Sequence, residues 1–193
     1  PLEGESNFKG LKKAYAKGVE LRGKTLGVIG FGRIGQEAAK IGLGIGMNVI
    51  AADKFMDSAT VKVALFNGKS IDVDIKTQSM ESVLAEADFV TLHVPAQKEY
   101  VIGEAQFDQM KDGSVIVNAA RGGVIDEVAL LKALDSGKLA FAGLDTFEDE
   151  PKPAIQVLMH PKVSLTPHIG AATGEAQDRI GVELAEQISA ILA

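Results

Sequence analysis

The sequence predicts an α/β protein of the doubly wound type, in which a parallel β-sheet carries helices on both faces. Two observations lead to this class. Short runs rich in β-branched residues alternate with segments of helical periodicity, and a glycine-rich turn joins the first of these strands to the first of these helices. The predicted strands are Thr25–Ile29, Asn48–Ala52, Phe89–His93, Ser114–Asn118, Ala140–Leu144 and Val163–Thr166. The predicted helices are Ile34–Ile45, Met80–Ala87, Glu104–Met110, Glu127–Ser136 and Glu175–Leu192.

The first twenty residues form a segment of their own. Phe8, Leu11, Tyr15 and Val19 recur at helical spacing, with lysines between them. We therefore expect an amphipathic helix ahead of the sheet, acting as a linker or as an arm for dimerisation. The rest of residues 1–193 is expected to form one domain.

Two segments should depart from the regular alternation. Lys62–Phe66 and Ser70–Lys76 alternate apolar and polar residues around Asn67-Gly68, which predicts a β-hairpin with a type I′ turn. We expect this hairpin to be a surface addition to the crossover, with no chemistry of its own. The predicted helix from Ile34 contains several glycines and should end early, between positions 42 and 46, because each interior glycine costs about 0.8–1 kcal/mol relative to alanine.

Composition excludes several classes of function. The net charge is −6 and only four arginines are present, so a surface that tracks nucleic-acid phosphates is not expected. There is no cysteine, which excludes disulfides and thiolate metal sites and is compatible with a cytoplasmic location. No apolar stretch is long enough to cross a membrane, and no signal peptide is visible. The chain begins at Pro1 rather than Met, so we expect a fragment.

The turn Gly30-Phe31-Gly32-Arg33-Ile34-Gly35 follows a predicted strand and opens a predicted helix. This GxGxxG spacing, in that context, is typical of dinucleotide-binding Rossmann domains. Gly30 permits the tight turn, Gly32 lets the backbone approach a pyrophosphate, and Gly35 allows close packing of helix on strand. The amides at the helix N-terminus would then face the phosphates.

Asp53 lies eighteen positions after Gly35, at the end of the next predicted strand. A carboxylate there accepts hydrogen bonds from ribose hydroxyls and repels a 2′-phosphate, which favours NAD over NADP. Lys54 could pair with such a phosphate. Successive residues at a strand end point to opposite sides, so Asp53 is the expected ribose contact.

Three titratable or charged residues follow late strands of the predicted sheet: Arg121, Glu150 and His168. Ligands of open α/β sheets bind at the carboxyl ends of the strands, so these side chains could converge on one cleft. A histidine can take the proton of a hydroxyl group whose carbon loses a hydride, and a carboxylate behind it stabilises its charged form. An arginine can hold a substrate carboxylate through two hydrogen bonds. Taken alone, the acidic run 148–150 would be a solvated loop.

The other histidines have less to suggest a role. His93, two residues before Pro95, is expected to pack and to shape the backbone. His160, before Pro161, is expected to be an exposed turn residue. No pair of histidine or acidic residues has the spacing of metal ligands, so no metal is predicted.

At these motifs the sequence resembles the D-2-hydroxyacid dehydrogenase family, and within it the phosphoglycerate dehydrogenase branch. The motifs are the glycine-rich turn, Asn-Ala-Ala-Arg-Gly-Gly, Gly-Leu-Asp-Thr-Phe with Glu-Pro, and Thr-Pro-His-Ile-Gly, in that order between about positions 20 and 187. The resemblance implies that Arg121 anchors the substrate carboxylate, that Glu150 partners the histidine, and that His168 is the general acid and base. It also implies that NAD is contacted by residues from several loops: Gly30, Gly32, Arg33, Ile34, Gly35, Asp53, His93, Val94, Pro95, Ala119, Ala120, Arg121, Asp145, His168 and Gly170. Asp145 would meet the nicotinamide carboxamide.

The resemblance further implies a two-lobed enzyme whose substrate-binding lobe is absent from this chain. The isolated chain should therefore bind NAD and turn over poorly. The implied substrate is a small 2-hydroxy or 2-keto acid, either 3-phosphoglycerate or a relative such as glyoxylate or hydroxypyruvate. A non-enzymatic NAD-sensing scaffold, as in the family's corepressor branch, is a second possibility, and a formate dehydrogenase is a weaker third. Members of the family usually form dimers through this lobe.

Overall fold

A computed structural model describes residues 8–14, 16 and 18–192 of the chain. A parallel sheet of six strands forms its centre, in the order β2-β1-β5-β6-β7-β8, and β3 and β4 form a separate antiparallel pair. The strands are β1 Thr25–Ile29, β2 Asn48–Ala52, β3 Ser58–Ala64, β4 Ser70–Lys76, β5 Phe89–Leu92, β6 Ser114–Asn118, β7 Leu139–Leu144 and β8 Val163–Leu165. The helices are α1 Phe8–Ala14, α2 Arg33–Gly44, α3 Met80–Glu86, α4 Glu104–Gln109, α5 Glu127–Asp135, α6 Ile155–Leu158 and α7 Gly174–Leu192. The doubly wound prediction is confirmed.

The strand order reverses at β1, which pairs with β2 on one side and with β5 on the other. Neighbouring residues of β1 face opposite sides of the sheet. A Cβ at Gly27 would lie 2.7 Å from a methyl of Val83 in α3, whereas Val28 approaches Gly35 in α2. Helices therefore cover both faces near β1. This reversal leaves a crevice above the carboxyl ends of β1 and β5, where doubly wound sheets bind ligands.

Two apolar clusters stabilise the fold. The larger one joins the sheet to α3, α4 and α5 and includes the fully buried Leu84, Ile116 and Leu130. The smaller one lies under α2 and includes Val28 and Phe31 of the first strand and turn. Phe31 is fully buried, so the glycine-rich turn is anchored in the core through its second residue.

The hairpin β3–β4 differs from its prediction in two respects. Its loop spans residues 65–69, Asn67 does not have a positive φ, and Gly68 alone has one (+78°), so the predicted type I′ turn is wrong. The Gly68 amide donates to the Leu65 carbonyl, and the Leu65 amide to the Lys69 carbonyl. The hairpin is also more than a surface addition, because Val61 and Ile75 are buried in the smaller cluster.

Helix α2 ends at Gly44, and Gly46 follows with a φ of +85°, as the glycine content predicts. Gly42 has a packing role, since a Cβ there would lie 2.8 Å from the Leu26 side chain of β1. The short helix α6 was not predicted, because four residues are too few to show helical periodicity.

The N-terminal helix is shorter than predicted. α1 covers Phe8–Ala14, and positions 18–20 are not helical, so the prediction of one helix reaching Val19 is wrong. Tyr15 and the residues before Phe8 lie outside the described part of the chain. Phe8 is 68% exposed. At the other end, no residue of α7 is buried, and its Glu183 pairs with Arg33 at 3.2 Å. Within the described residues, no helix has the length and apolar character to span a membrane.

His160 is not the exposed turn residue that the sequence suggests. Its side chain is 11% exposed, and its Nε2 lies 3.2 Å from Oδ1 of Asp135 at the end of α5. The Lys162 amide donates to its Nδ1. Since Nδ1 accepts, Nε2 donates to Asp135, and the ring joins α5 to the start of β8.

Candidate functional site

The glycine-rich turn has the shape that a bound pyrophosphate requires. Gly30 has a φ of +90°, and a Cβ there would lie 2.6 Å from the His93 carbonyl. A Cβ at Gly35 would lie 2.0 Å from the Gly30 carbonyl oxygen, so α2 packs directly on the turn. Gly32, by contrast, has nothing within 4 Å of its Cβ position, and the space above it is open. The backbone of Gly30 and the close contact at Gly35 agree with the tight turn and the close packing expected of them, and the approach of a pyrophosphate at Gly32 stays a prediction.

The first turn of α2 has unsatisfied donors. Its N-cap is Gly32, which offers no side chain, and in the described part of the chain no acceptor lies on the amides of Arg33, Ile34 and Gly35. These amides sit at the positive end of a twelve-residue helix. Open space at Gly32 and three free amides beside it fit a pyrophosphate group.

Asp53 lies just beyond β2 and faces the same turn. Its Oδ2 accepts the Phe31 amide at 2.7 Å, and its Oδ1 accepts the Phe55 amide at 2.8 Å. The carboxylate is half-buried, and each oxygen has used one of its acceptor sites within the protein. Asp53 can therefore accept a ribose hydroxyl while holding the turn in place.

The segment 93–95 forms the other wall of the crevice. The His93 amide donates to the Ile29 carbonyl, and its Nε2 lies 3.1 Å from Oγ1 of Thr91. Burial lowers the pKa of His93. Val94 approaches the Cβ position of Gly30 to 3.0 Å. His93 thus packs and shapes the backbone, and the role of Val94 and Pro95 toward a cofactor stays a prediction.

Arg121 is presented by a rigid loop after β6. The buried side chain of Asn118 accepts the Ala120 amide at 3.1 Å and donates to the Arg121 carbonyl at 3.0 Å. The Arg121 side chain is exposed, and its Nη1 donates to the Ala120 carbonyl. Ala119 and Ala120 lie in the same loop. In the sequence Asn118 stands out only as part of a motif, although a polar residue ending a buried strand is a signal for such a role.

Glu150 and His168 form the predicted pair. Nδ1 of His168 lies 2.7 Å from Oε2 of Glu150, and a carboxylate can only accept, so Nδ1 donates and Nε2 faces away. Oε1 of Glu150 accepts the Phe147 amide at 2.9 Å. The hydrogen bond from His168, followed by that from Phe147, lowers the pKa of Glu150. His168 has a φ of +54°, which is uncommon for a residue with a side chain and holds the ring toward Glu150.

Asp145 holds the loop that carries His168. Its Oδ1 accepts the Thr166 hydroxyl at 2.5 Å and the Ile169 amide at 2.9 Å, and its Oδ2 accepts the Gly170 amide at 2.8 Å. Burial raises the pKa of Asp145, but these three hydrogen bonds outweigh it, and the pKa is lowered. Asp145 is only 6% exposed. The predicted contact of Asp145 with a nicotinamide is not tested by these contacts, which show instead that it positions residues 166–170.

A cavity of about 410 Å³ adjoins the pair. Glu150 and His168 line it together with apolar side chains that include Phe147, Leu158 and Leu165. The low polarity of this lining strengthens the interaction between the pair and a bound polar group. In the described residues, no three histidine or acidic side chains form a cluster that could hold a metal ion.

Comparison with known proteins identifies the family. Residues 4–170 match the family model for the D-isomer specific 2-hydroxyacid dehydrogenase NAD binding domain. The chain is 45% identical to a D-3-phosphoglycerate dehydrogenase of Archaeoglobus fulgidus, over 89% of the chain and 31% of that protein. It is 44% identical to a hydroxypyruvate reductase of Thermotoga maritima, over 92% of the chain and 56% of that protein.

A crystal structure of a glyoxylate reductase from Paecilomyes thermophila superimposes with a TM-score of 0.73 at 38% identity, covering 86% of this chain and 48% of that one. The chain thus spans from about a third to just over half of the length of these relatives. The glycine-rich turn, the free amides at the start of α2 and the carboxylate of Asp53 agree with NAD, the cofactor that the family model names. The chain belongs to the D-isomer specific 2-hydroxyacid dehydrogenase family and corresponds to its NAD-binding domain.

Proposed function

We propose that the protein to which this chain belongs is an NAD-dependent oxidoreductase that interconverts a small 2-hydroxy acid and its 2-keto acid. The observation that carries this proposal is the Glu150–His168 hydrogen bond of 2.7 Å, at the carboxyl edge of a sheet that binds NAD. Such a pair gives an imidazole a defined tautomer and leaves Nε2 available for a substrate proton.

The geometry supports a role for each residue of the site. NAD held by the glycine-rich turn and Asp53 would supply the acceptor for the hydride from C2 of the hydroxy acid. Nε2 of His168 takes the hydroxyl proton, and Glu150 stabilises the resulting imidazolium. Arg121 has five N–H donors, one of which serves the Ala120 carbonyl, so it can turn an exposed guanidinium toward the substrate carboxylate. In the reverse direction His168 returns the proton to the keto oxygen.

For the substrate we propose 3-phospho-D-glycerate, oxidised to 3-phosphohydroxypyruvate, which would place the protein in serine biosynthesis. The support is the 45% identity to an archaeal D-3-phosphoglycerate dehydrogenase and 44% to another from Methanocaldococcus jannaschii. Reduction of hydroxypyruvate or glyoxylate is the second candidate, favoured by 44% identity to a hydroxypyruvate reductase. A non-enzymatic NAD sensor is less favoured, because it would not need the Glu150–His168 pair.

The decisive experiment supplies the full-length protein with NAD and a panel of 2-hydroxy acids and follows NADH absorbance. We expect turnover with 3-phosphoglycerate and loss of it in His168→Gln. An absence of signal with every acid, in both directions, would overturn the enzymatic proposal in favour of a sensor.

We further propose that this chain alone binds NAD but turns over poorly. Half of the substrate pocket and the closure that excludes water would come from a substrate-binding lobe outside the chain. Titration with NADH, followed by fluorescence, should show binding by the isolated chain. A steady-state rate close to that of the full-length protein would contradict this.

We also propose a homodimer through this domain and a cytoplasmic location. Support for the dimer is the exposed apolar surface of Phe8 and Leu11 in α1. The absence of cysteine is compatible with a reducing compartment. Light scattering of the chain with and without residues 1–20 tests the arm, and an unchanged dimer mass would count against it. Cell fractionation tests the location.

A further inference from the structure

Two acidic side chains join the loop that carries Glu150 to the start of α5. Oε1 of Glu148 accepts the amide of Glu127 at 2.8 Å, and Oε1 of Glu127 accepts the amide of Glu148 at 2.9 Å. Glu127 is the first residue of α5, so the carboxylate of Glu148 lies at the positive end of that helix. We call this pair of hydrogen bonds the reciprocal clasp.

The reciprocal clasp is one peptide away from the catalytic groups. Glu148 follows Phe147, and the Phe147 amide donates to Glu150, the partner of His168. The Phe147 carbonyl oxygen lies 1.8 Å from the position that a Cβ of Gly122 would take, so the segment next to Arg121 packs directly against it. Phe147 therefore contacts both halves of the candidate site.

Burial of the Glu127 carboxyl costs free energy, so the reciprocal clasp is not an efficient way to stabilise the fold alone. Glu127 is 7% exposed, and burial raises the pKa of its carboxyl, with the nearby charges of Glu148 and Asp149 raising it further against the opposing hydrogen bond from the Glu148 amide. An apolar residue at position 127 would avoid that desolvation penalty. An apolar residue could not accept the Glu148 amide, so it could not hold the Phe147–Glu148 peptide in one orientation.

We propose that Glu127 and Glu148 are positioning residues of the dehydrogenase site. The reciprocal clasp fixes the Phe147–Glu148 peptide, whose carbonyl seats the Gly122 backbone beside Arg121, and through it the backbone of Phe147, whose own amide orients Glu150 toward His168. This role rests on the proposed function. It assigns a role to Glu148, which the sequence pattern alone would leave on a solvated loop, and to Glu127, the first residue of a predicted helix.

The test uses full-length protein with methionine in place of each glutamate, which keeps most of the volume and removes the acceptor. We expect Glu148→Met and Glu127→Met to lower kcat about 10- to 100-fold, because a catalytic pair displaced by about 1 Å loses that much. The Kd for NADH should stay within about twofold, since the clasp does not touch the glycine-rich turn. Glu148→Gln, which keeps an acceptor oxygen, should recover kcat to within about threefold of wild type.

Asp149→Met is the matched control. It removes an exposed charge from the same loop and leaves both hydrogen bonds of the reciprocal clasp in place, so kcat should not change. A second measurement uses the isolated chain: ¹³C-carboxyl NMR of Glu150, whose pKa lies below its ordinary value in the wild type. That pKa should rise in Glu148→Met and stay low in Glu148→Gln.

Each outcome decides the proposal. Methionine variants that keep wild-type kcat and an unchanged Glu150 titration overturn the positioning role. Equal losses in Glu148→Gln and Glu148→Met would show that charge, and not the hydrogen bond, matters, which also overturns it. A parallel loss of NADH affinity would indicate general disruption of the fold and would count against it too. If the wild-type protein turns over no acid, the proposed function fails, whereas the NMR titration still decides whether the clasp orients Glu150.

Discussion

Replacement of Asp145 by asparagine removes one of the three hydrogen bonds that hold the His168 loop and introduces a repulsion. The carboxylate accepts Thr166 and Ile169 at Oδ1 and Gly170 at Oδ2. An asparagine that keeps its oxygen toward Thr166 and Ile169 presents its NH₂ group to the Gly170 amide, so two donors face each other. Losing one hydrogen bond to a charged acceptor and burying an unsatisfied donor costs about 2–3 kcal/mol.

That free energy is measurable by thermal and urea unfolding of the isolated chain. For a domain of this size, a loss of about 2–3 kcal/mol corresponds to a Tm roughly 5–10 °C lower. Asp149→Asn, with the same chemical change on an exposed side chain of the same region, should leave Tm unchanged. If the free energy of unfolding of Asp145→Asn lies within about 0.5 kcal/mol of the wild-type value, the hydrogen-bond account of this loop is refuted.

The Asp145→Asn variant also tests how the contribution of Asp145 to stability depends on pH. The pKa of Asp145 is lowered in the folded protein, so its contribution is present above the unfolded value of about 3.9 and is lost as pH falls through the folded value. The difference in stability between wild type and Asp145→Asn should therefore be constant between neutral pH and about pH 5, and narrow below about pH 4. A difference that narrowed as pH rose above 7 would contradict the assignment.

Other predictions concern the cofactor turn and the catalytic pair. Gly35→Ala places a Cβ 2.0 Å from the Gly30 carbonyl oxygen and should weaken NADH binding at least about tenfold, whereas Gly44→Ala, with nothing within 4 Å, should bind normally and gain up to about 1 kcal/mol of stability. Equal NADH affinities for the two would contradict the role of the tight turn. Glu150→Gln should lower kcat about 100-fold with little change in KM, and a change in KM alone would refute its pairing role. Asp53→Ala should weaken NADH binding about tenfold and lower the ratio of the affinity for NADH to that for NADPH. An unchanged ratio would show that Asp53 does not select the cofactor.

The sheet and the cofactor turn were predictable because their signals are local. The six strands of the parallel sheet occur where alternation and β-branched content place them, with ends that differ by one residue at most. The GxGxxG spacing and the position of Asp53 depend on a single strand–turn–helix unit and the strand that follows. Neighbouring residues alone specify that unit.

Features that depend on distant residues were not predictable. His160 was expected to be exposed because it precedes a proline, but its burial depends on the end of α5, 25 positions earlier in the chain. The turn of the hairpin was expected to be type I′ from Asn67-Gly68, yet the strand register places five residues in the loop. Sequence periodicity carries no information about the burial of His160 or the loop of the hairpin, since both follow from how elements pack.

The candidate site divides in the same way. By itself the sequence determined the cofactor turn, the acidic residue after β2, and the residue types at positions 121, 150 and 168 that suit hydride transfer. It did not determine how the acidic run 148–150 is used, for which the family pattern was needed. The family pattern singles out Glu150 as the partner of His168, and the tertiary structure alone decided that Glu148 turns away to α5, because the Phe147–Glu148 peptide is held between α5 and the backbone of Gly122. Three adjacent carboxylates are chemically alike, and only packing against elements distant in the chain gives Glu148 and Glu150 different partners and leaves Asp149 exposed.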